Sequence, residues 1–413
     1  MEKLWKLNLH LFDGATNTTE SPGLSEEMKT YYSDYLIDNA EPYLVHSQFA
    51  QKHPIPKNGG KRIEFRKYDP LPKLTTPISE GITPEGQKLS MSTISVEVKQ
   101  YGGFVEISDL LMMTAIDNNL VMATELIGSQ AGRTLDTITR EVLAGGSNVI
   151  YGDAACEARY LLTGGAASDE DNDYLNVNCI KKAARALKVA NAQKIDGWFV
   201  AIIHPDCSFD LTNDPKWVNV KSYCDPDDMY KGEIGRIEGF RFCESTEAKV
   251  FHADDLTAGA RNLTVKSTSD AVVTVNEVIT EQDKASLTGR SVIIGDKLLE
   301  ITDVTAAAAG TAAITLSEAV TASANDVIYP GEAGAEGRDV YATICLGANA
   351  YGDTEITGGG LEHIVKQLGS AGTSDPLNQR ATVGWKATKA TIRLVEAFIV
   401  RVETASTFEV GAN

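Results

Sequence analysis

Two hydrophobic periods meet in the first third of the chain. From Arg62 the side chains alternate, with Ile63, Phe65 and then Lys67 on one face and Arg62, Glu64 and Arg66 on the other. Ile94, Val96 and Val98 alternate in the same way against Ser95, Glu97 and Lys99. These runs predict the two strands of one long arm. Between them, Asp69 to Ser90 carries prolines at 70, 72, 77 and 84 and glycines at 81 and 86. That is loop chemistry, too rich in proline for ladder pairing. Then the period changes. Ile116, Leu120, Ala123, Ile127, Ala131, Leu135, Ile138 and Val142 recur at three and four, which predicts a helix over 118–144. It would run roughly 40 Å at about 1.5 Å per residue. Asn118 or Asp117 caps it and Gly145-Gly146 stops it. A two-stranded ribbon is marginal alone, and a structureless loop of about twenty residues is usually functional or disordered. The arm is therefore expected to lie on something else, first of all on another copy of the chain.

The remaining pattern is mixed. Ser25 to Ala40 reads as a helix lined by Met28, Tyr31, Tyr32, Tyr35 and Leu36. Asn176 to Ala190 reads as an amphipathic helix, with Lys181, Lys182, Arg185 and Lys188 facing out as a solvated face or one paired with acid on a neighbour. Trp198 to Ile203 is a continuous apolar strand suited to a sheet covered on both faces, and His204-Pro205 opens a helix. Gly232 to Phe240 reads as a glycine-punctuated hairpin, Glu362 to Leu368 as a short helix, and 340–346, 382–387 and 390–402 as strands. In His252 to Glu336 the composition shifts to Thr, Ala, Val and Ser. Short alternating segments recur there at 263–265, 272–275, 292–294, 298–301, 313–316 and 327–329, with Gly295-Asp296 and Ala309-Gly310-Thr311 at turns. This predicts a small all-β domain inserted into the rest, at an exposed loop and projecting outward.

The chain has 413 residues, enough for two or three domains, and a formal charge of −19. Strong acidity argues against a chain that wraps nucleic acid, which needs cations to neutralise phosphates. The six cysteines (156, 179, 207, 224, 243, 345) form no C-x-x-C pair and have no His at ligand spacing, so buried thiols are expected rather than a metal site or a disulfide framework. His204, Asp206 and Cys207 invite a nucleophile, but neighbours in sequence do not face one another on a helix and no third partner is evident. The acidic run Asp169 to Asp173 lacks the ligand spacing of a calcium loop. No phosphate-cradling glycine motif is present, and no run of ~18 apolar residues would span a membrane. No catalytic residue, metal or cofactor is expected.

Several stretches resemble one family. They are Phe49-Ala50-Gln51-Lys52, Ile55 to Lys61, Ile63 to Lys67, Leu71-Pro72, Thr75-Thr76-Pro77, Glu80-Gly81, Thr83-Pro84, Lys99 to Gly102, Glu106 to Asp109 and Asp136 to Leu143. They are similar to the major capsid proteins of N-four-like tailed bacteriophages, across residues 25–250 and 338–405 but not 252–336. The resemblance implies an α+β chain of the Hong Kong 97-like phage capsid fold: an amino-terminal arm (1–53), an extended loop (54–108), a peripheral domain with the spine helix (109–174) and an axial domain (175–251). The inserted all-β domain (252–336) would follow, then a return through the axial domain to the peripheral sheet (337–413). It implies a virion protein, assembled in the host cytoplasm, that forms hexamers and pentamers of an icosahedral head shell. The partners would be further copies, a separate scaffolding protein (the lead-in is too short for a coiled-coil prodomain), a portal and a decoration protein, with packaged double-stranded DNA bound without specificity. In this reading Arg62, Arg66, Lys67 and Lys73, with Glu80 and Glu85 near the tip, make the inter-subunit contacts of the loop. Lys6 to Phe12 resembles a leader of phage capsid and scaffold proteins, which implies cleavage between Phe12 and Asp13; the other reading is an amphipathic strand docking on a neighbour. The alternatives for the chain are an encapsulin-like nanocompartment of the same fold, or a β-rich surface-adhesion protein.

Overall fold

A computed structural model gives the architecture. It describes residues 44–54, 61–68, 71–75, 77, 81, 86–114, 119–152, 156–163, 173–217, 236–295, 297–354, 361–366, 377 and 379–408. The expected amino-terminal helix, the leader at Phe12 and Asp13, and Glu80 and Glu85 lie outside the described residues. In chain order the strands are β1 (Gln51–His53), β2 (Arg62–Tyr68), β3 (Met91–Glu97), β4 (Lys99–Ser108), β5 (Val149–Tyr151), β6 (Phe199–Ile203), β7 (Arg236–Ile237), β8 (Phe240–Glu244) and β9 (Val250–Phe251). Next come β10 (Leu263–Ser269), β11 (Val272–Val275), β12 (Ser291–Ile294), β13 (Lys297–Thr305), β14 (Ala313–Leu316) and β15 (Val327–Pro330). The chain closes with β16 (Val340–Leu346), β17 (Tyr351–Thr354), β18 (Leu361–Lys366), β19 (Arg380–Lys389), β20 (Thr391–Arg393) and β21 (Ile399–Thr404). The helices are α1 (Asp109–Thr114), α2 (Asn119–Ala144), α3 (Val177–Val189), α4 (Pro205–Asn213) and α5 (Glu281–Leu287).

The apolar stripe of α2 behaves as its spacing predicts. Ala123, Ile127, Ala131 and Leu135 are buried against Ile107, Val383, Trp385 and Ala387 on one face of the sheet β18-β19-β4. The other end of α2 reaches a seven-stranded mixed sheet of order β5-β21-β16-β6-β8-β7, with β9 added on β16. Both faces of that sheet are covered, which is why β6 and β16 are buried along their whole length. Helices α3 and α4 cover one face through Ile180, Leu187 and Leu211; Leu143 of α2 sits on the other with Val200, Ile202 and Ile344. Asn176 caps α3 by accepting from Cys179 N, and Pro205 opens α4.

Residues 263–330 close into a six-stranded barrel of order β10-β11-β14-β13-β12-β15. All six expected segments are there. One expectation is corrected: the region is not wholly β, because α5 lies between β11 and β12. Its signal was legible. Thr280 and Asp283 form a reciprocal capping box, three residues apart.

Three further expectations change. Glu362 to Leu368, read as a helix, is strand β18 from Leu361 to Lys366. Leu361, Val365 and Leu368 have helical spacing, but the segment pairs with β19 along its full length, and ladder bonds override local propensity. The closing strands do not share one sheet: β19 pairs with β4, whereas β21 returns to the seven-stranded sheet beside β16 and β5. Finally, the ribbon β2–β3 is not bare at its base. Ile63 and Phe65 are buried on their own chain beside Ala390, Ile392 and Leu394. Gly352 allows this, since a Cβ there would run into the Phe65 ring.

Candidate functional site

The arm leaves the body at a point where four segments meet, and that point is ionic and buried. Residues 44–50 lie between the two apolar clusters at either end of α2. His46 N donates to Asp136 Oδ1 at 2.7 Å, and His46 Nδ1 lies 2.6 Å from Asp136 Oδ2, with both side chains fully buried. The Tyr351 hydroxyl donates to the His46 carbonyl. Ser47 Oγ lies 3.1 Å from Thr139 Oγ1 and accepts from Lys389 Nζ at 2.9 Å. Lys389 also reaches Asp353 Oδ2 at 2.5 Å, and Thr391 Oγ1 donates to Asp353 Oδ1 at 2.8 Å. Burial holds the Lys389 ammonium below its ordinary range, against the pull of Asp353, and pushes the Tyr351 phenol well up. This cluster ties the segment before the arm to α2, while Lys99, where the arm returns, pairs in register with Lys389. A buried ion pair of this kind contributes little net stability, but breaking it is costly, so it constrains geometry.

A second buried charge group holds the carboxyl end of α2. Arg401 donates to the carbonyls of Ala144 and Gly146, and Arg393 to that of Val142 at 2.6 Å. These cations satisfy the orphan carbonyls and face the negative end of the helix. Glu403, fully buried, receives both Arg401 and Arg159.

Of the residues expected to make contacts, Arg62 and Arg66 sit exposed on the outward face of β2. Arg62 lies opposite Glu97 of its own ribbon. Lys67 is in β2, its side chain outside the described residues, and Lys73 is exposed further out. What the residue reading missed is apolar. Leu71, Leu74, Leu89 and Met91 are exposed along the arm, Leu74 to 78 %. A second apolar surface lies on the open face of β18-β19-β4, where Phe104 is 73 % exposed and Ile364 42 %. There Gly102, Gly103 and Gly384 floor a groove closed at one end by the Glu106–Arg380 pair at 3.1 Å. A Cβ on Gly384 would come within 2.9 Å of Phe104 Cβ.

Of the nucleophile candidates, His204 and Asp206 do meet, with Nδ1 3.2 Å from Oδ2, but Cys207 lies instead against Thr404 Oγ1. Cys207 is fully buried, and burial pushes its thiol far up. Asp206 accepts from the Tyr341 hydroxyl at 2.8 Å, and His204 caps α4 by accepting from Asp206 N. Among the described residues no group of His, Cys, Asp and Glu is placed to hold a metal ion, and no helix is long and apolar enough to cross a membrane.

Comparison with known proteins places this architecture. The sequence model of a family described as phage capsid protein matches residues 112–320, just over half of the chain. No curated protein matches. The capsid of cyanophage P-SCSP1u superposes with a TM-score of 0.52 at 11 % identity, over 88 % of this chain and 89 % of that one. The capsid of Ralstonia phage GP4 gives 0.48 at 13 % identity over 86 % of each chain. The head protein of Helicobacter pylori bacteriophage KHP40 gives 0.48 at 9 % identity, over 86 % and 87 %. The fold is thus the expected Hong Kong 97-like phage capsid fold, mixing helices and sheets. With its helix, its two sheets and its matched family, the chain belongs to the phage capsid proteins, which build the head shell of the virion.

Proposed function

We propose that this chain closes its shell by laying the extended loop of one subunit across the peripheral sheet of the next. The observation that carries the reading is the pair of apolar surfaces within one chain. Leu71, Leu74 and Leu89 stand exposed on the arm, while Phe104 and Ile364 stand exposed on the open face of β18-β19-β4. Two different patches that fit each other make a heterologous contact, and such contacts close into rings, here hexamers and pentamers. Apolar contact supplies the affinity. Arg62, Arg66, Lys67 and Lys73, with Glu80 and Glu85 near the tip, set register, since exposed ion pairs contribute only ~0–1 kcal/mol each. The buried cluster of His46, Asp136, Lys389 and Asp353 fixes the direction in which the loop leaves. The subunit performs no chemistry. Its partners are other copies, a separate scaffolding protein, a portal and a decoration protein, and it encloses double-stranded DNA without reading its sequence. The barrel is an added domain carried by the axial part.

The test is deletion of residues 68–92, followed by electron microscopy of the purified chain expressed alone and with its neighbouring genes. The expected product is a folded subunit or capsomer that forms no closed shells. Normal shells from the deletion would overturn the loop reading, and full-length shells filled with an enzyme rather than DNA would point to a nanocompartment.

A further inference from the structure

The register of β18-β19-β4 builds a notch into its open face. Gly384 of the central strand lies opposite Ile364 on one side and Phe104 on the other. Residues directly opposite share a face of the sheet. That row therefore has two exposed apolar walls, Ile364 and Phe104, with glycine at the floor between them. Two strand spacings set the walls about 10 Å apart. The notch belongs to a groove of about 510 Å³. Gly384 does not have a positive φ, so its backbone does not call for glycine. A Cβ there would meet Phe104 Cβ at 2.9 Å, so floor and wall coexist only with glycine at 384. A glycine inside a strand often marks close approach by another chain or a ligand. The neighbouring rows, Glu362 with Lys386 and Lys366 with Thr382 and Glu106, carry both signs. Charge there sets register, and the notch carries the affinity.

The arm of the same chain holds a matching anchor. Leu74 is the most exposed of its described apolar side chains, at 78 %. Leu89 and Met91 lie within two residues of the end of the β2–β3 ladder, whereas Leu74 is six residues beyond Tyr68. Prolines at 70, 72 and 77 surround it. Proline fixes its own φ and biases the residue before it towards extended backbone, so residues 71–75 lose little freedom on docking. Short of backbone donors, the stretch is poorly suited to extending a sheet edge. It is suited to meeting a partner through side chains, as proline-rich segments meet aromatic-lined grooves. Such a backbone turns once in three residues, which puts Leu71 and Leu74 on one face about 9 Å apart. Anchor and notch are both exposed within one chain, so they meet only between copies. We infer that Leu74 of one subunit seats between Phe104 and Ile364 of the next; this rests on the extended-loop reading and gives that contact its anchor.

The test is a disulfide trap in assembled particles of the full-length chain, Leu74→Cys with Ile364→Cys. After oxidation, the expected result on a non-reducing gel is a ladder of linked subunits ending at the pentamer and hexamer. Each single-cysteine variant, and Leu89→Cys with Ile364→Cys, is expected to stay unlinked. A second measurement does not depend on the trap. Leu74→Asp is expected to lower the yield of closed shells roughly tenfold or more, the loss in affinity when one leucine is no longer buried, while Leu74→Met keeps it. Unlinked particles from the trap, a ladder from the Leu89 pair instead, normal shells from Leu74→Asp or an equal loss from Leu74→Met would each overturn the inference. Should the trap variant form no particles, the aspartate and methionine variants decide it. Failure here is separable from failure of the loop reading: shells that vanish on deletion of 68–92 but close normally with Leu74→Asp keep the loop and remove the seat.

Discussion

Two parts of this chain leave the body and come back, and they solve the same problem in opposite ways. The barrel of residues 263–330 pairs each strand on both sides and fills its interior with its own side chains, among them Val273, Val292, Ile301, Ile314 and Ile328. It has no edge to protect. Among the described residues the ribbon β2–β3 pairs with no third strand, and Leu71, Leu74, Leu89 and Met91 of the arm are exposed. A closed sheet is complete without a partner. An open one with exposed leucines is not, which is why assembly is proposed for the ribbon and not for the barrel.

The contrast is broken most strongly at the ribbon's root. Lys389→Ala leaves Asp353 buried and unpaired, and is expected to lower stability by about 3–5 kcal/mol in denaturant unfolding. The double variant Lys389→Met with Asp353→Leu should recover most of that loss. The equivalent change at the base of the barrel, Arg290→Ala, removes its pair with the half-exposed Glu332 and its bonds to the carbonyls of Asp254 and Asp255, and should cost less, about 1–3 kcal/mol. A cavity experiment sharpens the point. Phe65→Ala and Ile301→Ala both empty fully packed sites, at about 3–5 and 2–5 kcal/mol. The first should loosen the loop and impair shell closure. The second should lower the barrel's own melting while shells still form, as calorimetry and electron microscopy would show. Smaller again is Thr280→Ala, which removes the cap of α5 for about 1 kcal/mol, confined to the barrel by hydrogen exchange.

The smallest effect is a pH dependence of the peripheral sheet. Burial holds the His363 imidazole below its ordinary value of 6.5. The unfolded chain therefore takes up this proton first as pH falls. No stability is at stake above 6.5; below it stability drops, until the folded-state value is passed. His363→Gln should flatten that part of the stability curve and leave the neutral plateau unchanged. An identical slope in the variant would remove His363 as its source.

Much of this was legible because period and burial agree. The stripe from Ala123 to Leu135 and the six segments of the barrel could be read from spacing, and the ribbon from its alternation. The root of the loop could not. Asp136 and Thr139 lie beside a helical apolar stripe and look like its solvent edge, until residues 44–50 cover them. Lys389 stands between Thr388 and Ala390 in a strand whose ends are far apart in sequence from Asp353 and Ser47. Likewise Arg401 and Glu403 alternate with Val400 and Val402 as an exposed face would, but the sheet is covered on both sides. A charge at an inward position announces a buried partner only once the layer above it is known.

The barrel's point of attachment has a further consequence. Its first and last strands pair with each other at Leu263 and Ile328, and the strands that carry the chain out and back pair at Phe251 and Val340. The way out and the way home are therefore neighbouring tracks. A domain whose two ends lie side by side can be exchanged there with little change to the two strands that bracket it, so the same gap is a cloning site for a foreign domain.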